Sequence, residues 1–352
     1  MLNHLFIHCR GGFESECAAE ITDRAAAFGI FGYVKSKAHT AHVIFVTQAP
    51  DGAQTLIEQM PFESLIFARQ WFAAPAPLVQ LAPDDRLTPI LDCVKTLPFA
   101  ASWQLETVDT NEGKGLNSLT KKLAQPLTRL LEKRNLLRRK SPWSLHLLFT
   151  ATDEAWVGLS PLDNHSPWLM GIPRLKLPKE SPSRATLKLE EAWHQFIPRD
   201  QWDLRLAASM TAVDLGAAPG GWTWLLVSRG MFVQAVDNGP MQQALMDSGQ
   251  VVHQREDGFV FEPRKPVDWL VCDIVDKPAR TLAMVLHWFV QGHCRQAIFN
   301  LKLPMKQRYQ EVQKLLARLT DESAAAGVPL QVRARQLYHD REEITVYAQV
   351  TD

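Results

Sequence analysis

The sequence has little cysteine, and none of it is arranged for a metal site or a disulfide framework. Its five cysteines are widely scattered, an odd number, and no two form a Cys-x-x-Cys pair. This spacing argues against zinc-ribbon and disulfide-rich classes and favours the reducing cytoplasm. We predict no bound metal. The five residues are Cys9, Cys17, Cys93, Cys272 and Cys294.

A long apolar run is also missing. No segment reaches the roughly 20 apolar residues that cross a bilayer. The first ten residues lack the charged start, apolar core and cleavage site of a signal peptide. We therefore expect a cytoplasmic protein that neither spans a membrane nor is exported. With 352 residues, 46% hydrophobic and 22% charged, it should form two folded domains or a little more.

Neither sign of charge is in excess, because 38 basic residues balance 38 acidic ones. A net charge averages over domains, however, and residues 114–140 are locally basic. A solvated helix face is the simpler interpretation of this segment taken alone, and a phosphate-attracting surface is the alternative. Its basic residues are Lys114, Lys121, Lys122, Arg129, Lys133, Arg134, Arg138, Arg139 and Lys140.

Two small α+β units are predicted in the N-terminal part. In residues 1–85, apolar spacing predicts a helix over 13–28 and strands over 5–9, 41–46 and 65–72. A proline-rich stretch then breaks regular structure.

The second unit is predicted over residues 86–160, where the basic segment lies. Its order of helix, strand, basic helix and two strands is compatible with an RNA-binding module and with many other small domains. The predicted elements are a helix over 88–97, a strand over 102–108, a helix over 116–137 containing Pro126, and strands near 144–149 and 155–158.

Residues 161–182 are rich in proline and predict an extended, packed connector. Residues 183–352 alternate short apolar strands with helices, which predicts an α/β domain with a parallel sheet covered on both faces. The last two predicted strands form an antiparallel hairpin at the sheet edge. The predicted strands are 211–215, 231–237, 268–273, 296–301, 330–338 and 344–350.

The most informative segment is 214–222, Asp-Leu-Gly-Ala-Ala-Pro-Gly-Gly-Trp. It follows a predicted strand and opens a predicted helix, where a nucleotide-like cofactor lies in open α/β sheets. Asp237 ends the next strand, where a carboxylate can bind two ribose hydroxyls. Asp257 follows the next strand region and can accept a hydrogen bond from an adenine amino group. Pro219 interrupts the Gly-x-Gly-x-x-Gly pattern of dehydrogenases, which favours an adenosine without phosphates.

This segment resembles the first cofactor motif of the ribose 2′-O-methyltransferases related to the heat-shock rRNA methyltransferase. Residues 183–189 resemble the Ser-Arg-Ala-x-x-Lys-Leu element that precedes the motif in that family. The resemblance is specific over residues 183–350 and implies a Rossmann-like domain that uses S-adenosyl-L-methionine. The cofactor contacts that it implies are Ala185, Gly216, Ala218, Pro219, Gly220, Gly221, Trp222, Asp237, Asp257 and Asp273.

Over its full length the chain is similar to bacterial 23S rRNA (cytidine 2′-O) methyltransferases, in which a THUMP-type RNA-binding region precedes the catalytic domain. The resemblance implies a ferredoxin-like subdomain over 1–85 and a THUMP-like subdomain over 86–160. The catalytic domain then occupies 183–352. The implied substrate is a cytidine ribose of 23S rRNA, and a monomer is expected.

The family's Lys-Asp-Lys-Glu tetrad matches Lys188, Asp273, Lys302 and Glu343. A ribose hydroxyl is a poor nucleophile at neutral pH, so its methylation needs a base and in-line placement. By resemblance Lys302 is the base, Asp273 orients it and touches the methionine end of the cofactor, and the other two position the ribose. Glu342 is an alternative for the last role, but the apolar alternation that follows favours Glu343.

Three other functions compete with this interpretation. A nicotinamide oxidoreductase lacks support because the loop contains proline and no hydride-transfer histidine pair is evident. A base methyltransferase would carry Asn-Pro-Pro-Tyr at 273–276 or a nucleophilic cysteine, whereas Cys272 is interpreted as a core residue facing away from Asp273. A non-catalytic RNA-binding factor would be favoured by loss of a tetrad position, and all four positions are present.

Overall fold

The computed structural model describes residues 1–351, which form two compact units. The first unit is Met1–Ile172 and the second begins at Pro173. The boundary falls inside the proline-rich segment 161–182. Apart from the end of the last strand before it and a 3₁₀ turn at Leu169–Gly171, this segment contains no helix or strand. Within residues 1–351, no helix combines the length and the apolar character needed to span a bilayer.

Over residues 1–172, a seven-stranded sheet is flanked by helices. The strand order is β2-β3-β1-β4-β7-β6-β5; β5 and β6 are parallel and the other neighbours are antiparallel. The elements are β1 His4–His8, α1 Glu14–Ala27, β2 Gly32–Ser36, β3 His42–Thr47, α2 Gly52–Gln59, β4 Gln70–Ala74, α3 Leu87–Lys95, β5 Ser102–Thr107, α4 Asn111–Gly115, α5 Asn117–Lys133, β6 Trp143–Ala151 and β7 Glu154–Pro161.

The strand predicted over residues 65–72 is wrong in its first half. The backbone N–H groups of Ile66 and Phe67 donate to the buried carboxylate of Glu20, at 2.7 and 2.9 Å, so they are satisfied without a sheet partner. Regular pairing starts only at β4. The structure also contains α2 and β2, neither of which was predicted from apolar spacing. Strand β2 was missed because it is a largely exposed edge strand.

The two predicted N-terminal segments share this one sheet. Strand β4 meets β7 at Ala73 and Leu159, which joins elements from either side of residue 85. The basic helix is α5, and Pro126 lies inside it. All nine basic residues of segment 114–140 are exposed.

A buried polar group crosses this sheet. His146 Nδ1 lies 3.3 Å from a Glu106 carboxylate oxygen and His146 Nε2 lies 2.7 Å from Ser160 Oγ. The arrangement resembles a Ser-His-Glu triad, but all three side chains are almost fully buried. Because no substrate can reach the serine, the group serves to satisfy buried hydrogen-bonding atoms.

From Pro173 to residue 351, a second seven-stranded sheet has the order β10-β9-β8-β11-β12-β14-β13. Strands β8 to β12 run parallel to one another, whereas β14 is antiparallel to β12 and β13. The elements are α6 Thr186–Phe196, α7 Trp202–Arg205, β8 Thr211–Leu215, α8 Gly221–Ser228, β9 Phe232–Val236, α9 Gln243–Asp247, β10 Val251–Gln254, β11 Val267–Cys272, α10 Pro278–Val290, β12 Cys294–Lys302, α11 Arg308–Ala325, β13 Leu330–Arg335 and β14 Glu343–Val350.

The predicted Rossmann-like domain is confirmed by this topology. Strand β8 is the point where the order reverses, with β9 and β10 on one side and β11 and β12 on the other. Ligands of such sheets bind at this reversal, beyond the carboxyl ends of the strands. The terminal hairpin is also confirmed, although its second strand β14 lies inside the sheet and only β13 is at the edge.

Candidate active site

Four charged residues lie at the carboxyl edge of the second sheet. Asp273 follows the last residue of β11, and Lys302 is the last residue of β12. Glu343 is the first residue of β14, and because this strand is antiparallel its start lies at the same edge. Lys188 comes from α6, which precedes the sheet in the chain.

Lys188 lies between the two carboxylates. Its Nζ donates to Glu343 Oε1 at 2.6 Å and to Asp273 Oδ1 at 3.3 Å. The three side chains are only 16 to 20% exposed. Three of the four predicted catalytic residues are therefore in direct contact.

Lys302 reaches the same place through strand register. It pairs directly with Glu343 across β12 and β14, and residues opposite each other project from the same face with Cβ atoms about 5 Å apart. The Lys302 side chain is exposed and forms no hydrogen bond or ion pair with a described residue. It is thus available to a substrate. Glu342, the alternative to Glu343, instead forms an ion pair with Arg308.

Asp273 is held by a chain of hydrogen bonds that the sequence did not predict. Asn300 Nδ2 donates to Asp273 Oδ1 at 2.6 Å, and Thr345 Oγ1 donates to Asn300 Oδ1 at 2.8 Å. Thr345 Oγ1 also lies 3.1 Å from Asp340 Oδ1. A hydroxyl carries one hydrogen, so Thr345 has two alternative acceptors, Asn300 Oδ1 and the Asp340 carboxylate.

Burial and neighbouring charges shift the pKa values of this group. Burial, reinforced by the charge of Glu343, holds the pKa of Asp340 well above its usual range. Burial also raises the pKa of Asp273, partly offset by Lys188 and Asn300. For Lys188, burial lowers the pKa, but the charge of Asp273 and the bond to Glu343 outweigh it and raise the pKa overall. Lys188 is accordingly an ammonium at neutral pH.

The predicted cofactor loop follows β8 at the reversal point. Gly216 and Gly220 have φ angles of +79° and +117°, which only glycine adopts without strain. A Cβ atom would lie 2.7 Å from Ile274 Cγ1 at Gly216 and 2.3 Å from Leu245 Cδ1 at Gly220. The loop backbone therefore depends on glycine at both positions. Ala218 and Pro219 are joined by a cis peptide bond.

Asp237 is held in place by the backbone. Its Oδ2 accepts from the Ala218 N–H at 3.1 Å, and its Oδ1 accepts from the Gly239 N–H at 2.7 Å. A carboxylate oxygen has two lone pairs, so each oxygen can still accept from one hydroxyl. This geometry fits a pair of ribose hydroxyls. Asp257 is exposed and accepts from the Phe259 N–H at 2.9 Å.

Trp222 and Gly221 connect this loop to α6. The Trp222 side chain is buried in the core, and its indole N–H donates to the Ala185 carbonyl at 2.9 Å. The Gly221 carbonyl accepts from Thr186 Oγ1 at 2.8 Å. Both bonds fix the start of α6, the helix that carries Lys188, against the cofactor loop.

Asp214 belongs to the loop motif, but the sequence predicted no role for its side chain. It is fully buried, and its Oδ2 accepts from Thr223 Oγ1 at 2.6 Å. Burial raises its pKa to about 7 despite this bond.

Alternation along β12 also places Asn300 on the face of Lys302, so the strand pattern could have identified it. No sequence signal pointed to Asp340 or Thr345.

The prediction of no metal rested on cysteine alone. The described residues include a group of potential ligands, Glu262, His287 and His293, whose donor atoms lie within 4.8 Å of one another. Glu262 already contacts the two histidines, at 2.9 Å and 3.8 Å. These contacts account for the grouping without an ion, and the metal prediction stays a prediction.

Three family models match the chain. The RlmM ferredoxin-like domain matches residues 2–72, and the N-terminal model of ribosomal RNA large subunit methyltransferase M matches 85–161. An FtsJ-like methyltransferase model matches 182–306. The last range contains Lys188, Asp273 and Lys302, whereas Glu343 lies beyond it.

Curated relatives cover nearly the whole chain. A ribosomal RNA large subunit methyltransferase M of Cellvibrio japonicus is 60% identical over 99% of this chain and 100% of its own length. The protein of the same name from Azotobacter vinelandii is 53% identical, with 98% of both chains covered. Among solved structures, TrmN from Thermus thermophilus is 14% identical, with a TM-score of 0.36 and 98% and 99% of the two chains covered. A score this low carries no argument about function.

Proposed function

Because the chain belongs to the ribosomal RNA large subunit methyltransferase M family, we propose that it methylates the ribose 2′-hydroxyl of a cytidine in 23S rRNA. The protein is an S-adenosylmethionine-dependent rRNA methyltransferase. The observation that carries the ribose assignment is the meeting of Lys188, Asp273 and Glu343, with Lys302 in register, at the edge that bears the cofactor loop.

The cofactor loop and Asp237 would hold S-adenosylmethionine. Bound there, the cofactor supplies an electrophilic methyl group on a sulfonium. The two free lone pairs of Asp237 suit the ribose hydroxyls of its adenosine. Asp257 would accept from the adenine amino group, and Asp273 would lie at the methionine end. Glycine at 216 and 220 keeps the loop backbone in the required conformation.

Lys302 is the proposed general base. Lys188 is unsuited to this role because the carboxylates around it keep it protonated. Lys302 Nζ would accept the proton of the 2′-hydroxyl as the new O–C bond forms and the S–C bond of the methyl donor breaks. Lys188 and Glu343 would position the ribose, and Asp273 would orient the attacking groups.

Methylation of a pyrimidine carbon is disfavoured by Cys272. That chemistry needs a reactive thiolate beside the cofactor. The Cys272 side chain is fully buried, and burial raises its pKa to about 12. The prediction that it is a core residue is confirmed.

The test is to incubate the protein with radiolabelled S-adenosylmethionine and unmodified large-subunit rRNA. We expect label in RNA that survives alkaline hydrolysis as a dinucleotide containing cytidine, because a methylated 2′-oxygen cannot attack the adjacent phosphate. Label on a base would keep the cofactor assignment but contradict the tetrad chemistry. No label in any RNA, with cofactor bound, would contradict the proposed function.

We further propose that residues 86–160 bind RNA, in the THUMP-like role that the resemblance implies for them. Charge reversal of Arg138, Arg139 and Lys140 to Glu should weaken RNA binding, because all three are exposed and each can contact a phosphate. A plot of the logarithm of the RNA-binding constant against the logarithm of salt concentration should become shallower. Its slope should fall by roughly 0.7 to 0.9 for each phosphate that the variant no longer neutralises.

Filter binding over a salt series would measure this effect, and cofactor affinity should not change. The matched control is charge reversal of Lys35 and Lys37, which are exposed on another part of the same unit. Equal RNA affinity of the test and control variants would show that the basic segment is only a solvated surface.

A further inference from the structure

A cavity of about 400 Å³ lies at the beginning of α6, the helix that carries Lys188. Its walls come from three segments of the second unit, namely residues 173–177, the beginning of α6 and the loop before β14. We call it the side pocket. Its principal lining residues are Arg174, Leu175, Leu177, Arg184, Tyr338 and His339.

The walls of the side pocket are fixed to the catalytic residues. Leu187, which also lines it, is the neighbour of Lys188. The N–H groups of Tyr338 and His339 donate to the two oxygens of Glu191, at 2.8 and 3.1 Å. Glu191 is buried and lies on α6, one turn after Lys188. These bonds hold the backbone of the aromatic wall against the helix that carries Lys188.

The chemistry of the side pocket is cationic, aromatic and apolar. Arg174 and Arg184 are exposed, and the lining residues that the structure describes include no carboxylate. The Arg174 guanidinium carbon lies 5.4 Å from the Tyr338 ring centre, and its Nη1 lies 3.5 Å from the Tyr338 hydroxyl oxygen. Tyr338 and His339 meet edge to face, with ring centres 5.1 Å apart.

These groups match the parts of a nucleotide. Guanidinium groups bind phosphate oxygens in a planar, forked geometry. Aromatic rings and arginine planes stack on unpaired bases, which is how proteins bind single-stranded RNA. A volume of about 400 Å³ lies within the range of pockets that enclose small ligands. The reacting ribose belongs beside Lys302, which does not line this pocket, so the pocket is available to a second nucleotide.

We propose that the side pocket binds an unpaired nucleotide that flanks the methylated one, with its base against Tyr338 and its phosphate between Arg174 and Arg184. The inference rests on the proposed function and adds a requirement to it. The target must lie in a single-stranded part of the RNA, where its neighbour can leave the base stack. Binding of that neighbour would place the target ribose at the tetrad.

The test uses a fragment of large-subunit rRNA that the protein methylates in the assay above, measured by fluorescence anisotropy and initial rates. Tyr338→Leu should weaken RNA binding about 5- to 150-fold, the loss of one stacked base. Tyr338→Phe keeps the ring and should bind nearly as the wild type does. Arg174→Gln with Arg184→Gln should raise KM for RNA and reduce the salt dependence.

Abasic substitution in the RNA identifies the bound nucleotide. Removing the base on one side of the target should weaken wild-type binding as much as Tyr338→Leu does, and should weaken binding of that variant no further. The matched control is Lys314→Gln with Arg318→Gln on α11, which should not change RNA affinity. Cofactor affinity should be the same throughout.

The outcomes separate the two proposals. If the Tyr338 and arginine variants methylated RNA with unchanged RNA affinity and KM, the side-pocket proposal alone would be overturned. Additive losses from the abasic RNA and Tyr338→Leu would also overturn it, because base and ring would then act independently. Failure to methylate any RNA would overturn the proposed function and the side pocket together.

Discussion

A Lys302→Met variant is expected to transfer methyl groups about 10²- to 10⁴-fold more slowly than the wild type, the range that one general base contributes. The Lys302 side chain is exposed and bonds to no described residue, so its loss should leave the fold and the cofactor loop intact. Single-turnover rates with saturating RNA and cofactor would measure the chemical step, and calorimetry would measure cofactor affinity.

Lys302→Arg separates a base from a fixed positive charge. A guanidinium stays protonated at any pH that proteins tolerate, so this variant should be about as slow as Lys302→Met. The control is Lys306→Met, four residues along in the chain and also exposed, which should keep nearly the wild-type rate. A fast Lys302→Arg enzyme would mean that the lysine binds RNA and that the base lies elsewhere.

Asn300→Asp is expected to lower kcat about 10- to 150-fold, the equivalent of losing one charge-assisted hydrogen bond worth roughly 1.5–3 kcal/mol. The substitution keeps the shape and the acceptor that faces Thr345. It replaces the donor that lies 2.6 Å from Asp273 with a second carboxylate oxygen. Repulsion should turn Asp273 away from Lys188 and disturb the positioning of the reacting groups.

Thr345 provides the matched pair for this prediction. Thr345→Ser keeps the hydroxyl that donates to Asn300 and should be close to wild type, whereas Thr345→Val should share the direction of the Asn300→Asp effect. Rates measured beside thermal melting would show whether the loss is catalytic. If Asn300→Asp kept full kcat, or if Thr345→Ser and Thr345→Val were equally slow, the hydrogen-bond chain would be no more than packing.

The elements that the sequence predicted well are those defined by neighbours in the chain. The motif from Asp214 to Trp222 is a strand, a tight turn and a helix start in nine residues, and Gly216 and Gly220 are needed there at positive φ. Asp237 lies one strand further on, at a distance fixed by the fold class. Such local patterns predicted this loop and the alternation of strands and helices before any long-range contact was known.

The errors occurred where burial or pairing depends on distant residues. The side chains at residues 66 and 67 are as apolar as those of a strand, but Glu20 on α1 accepts from their backbone N–H groups in place of a neighbouring strand. Strand β2 is an exposed edge and carries no clear alternation. The sequence of neither segment predicts that β4 pairs with β7 in one sheet, because a single residue pair, Ala73 and Leu159, makes the connection.

The sequence by itself determined the domain class and the glycine-rich loop and, through resemblance, named the four residues of the proposed tetrad. Only the tertiary structure decided which charges meet. Lys188 and Glu343 are 155 residues apart, and they touch because β14 inserts antiparallel between β12 and β13 in the register that sets Glu343 opposite Lys302. Strand order and register depend on the packing of the whole sheet, which local periodicity does not contain. For the same reason the bonds through Asn300 and the side pocket exist only in three dimensions.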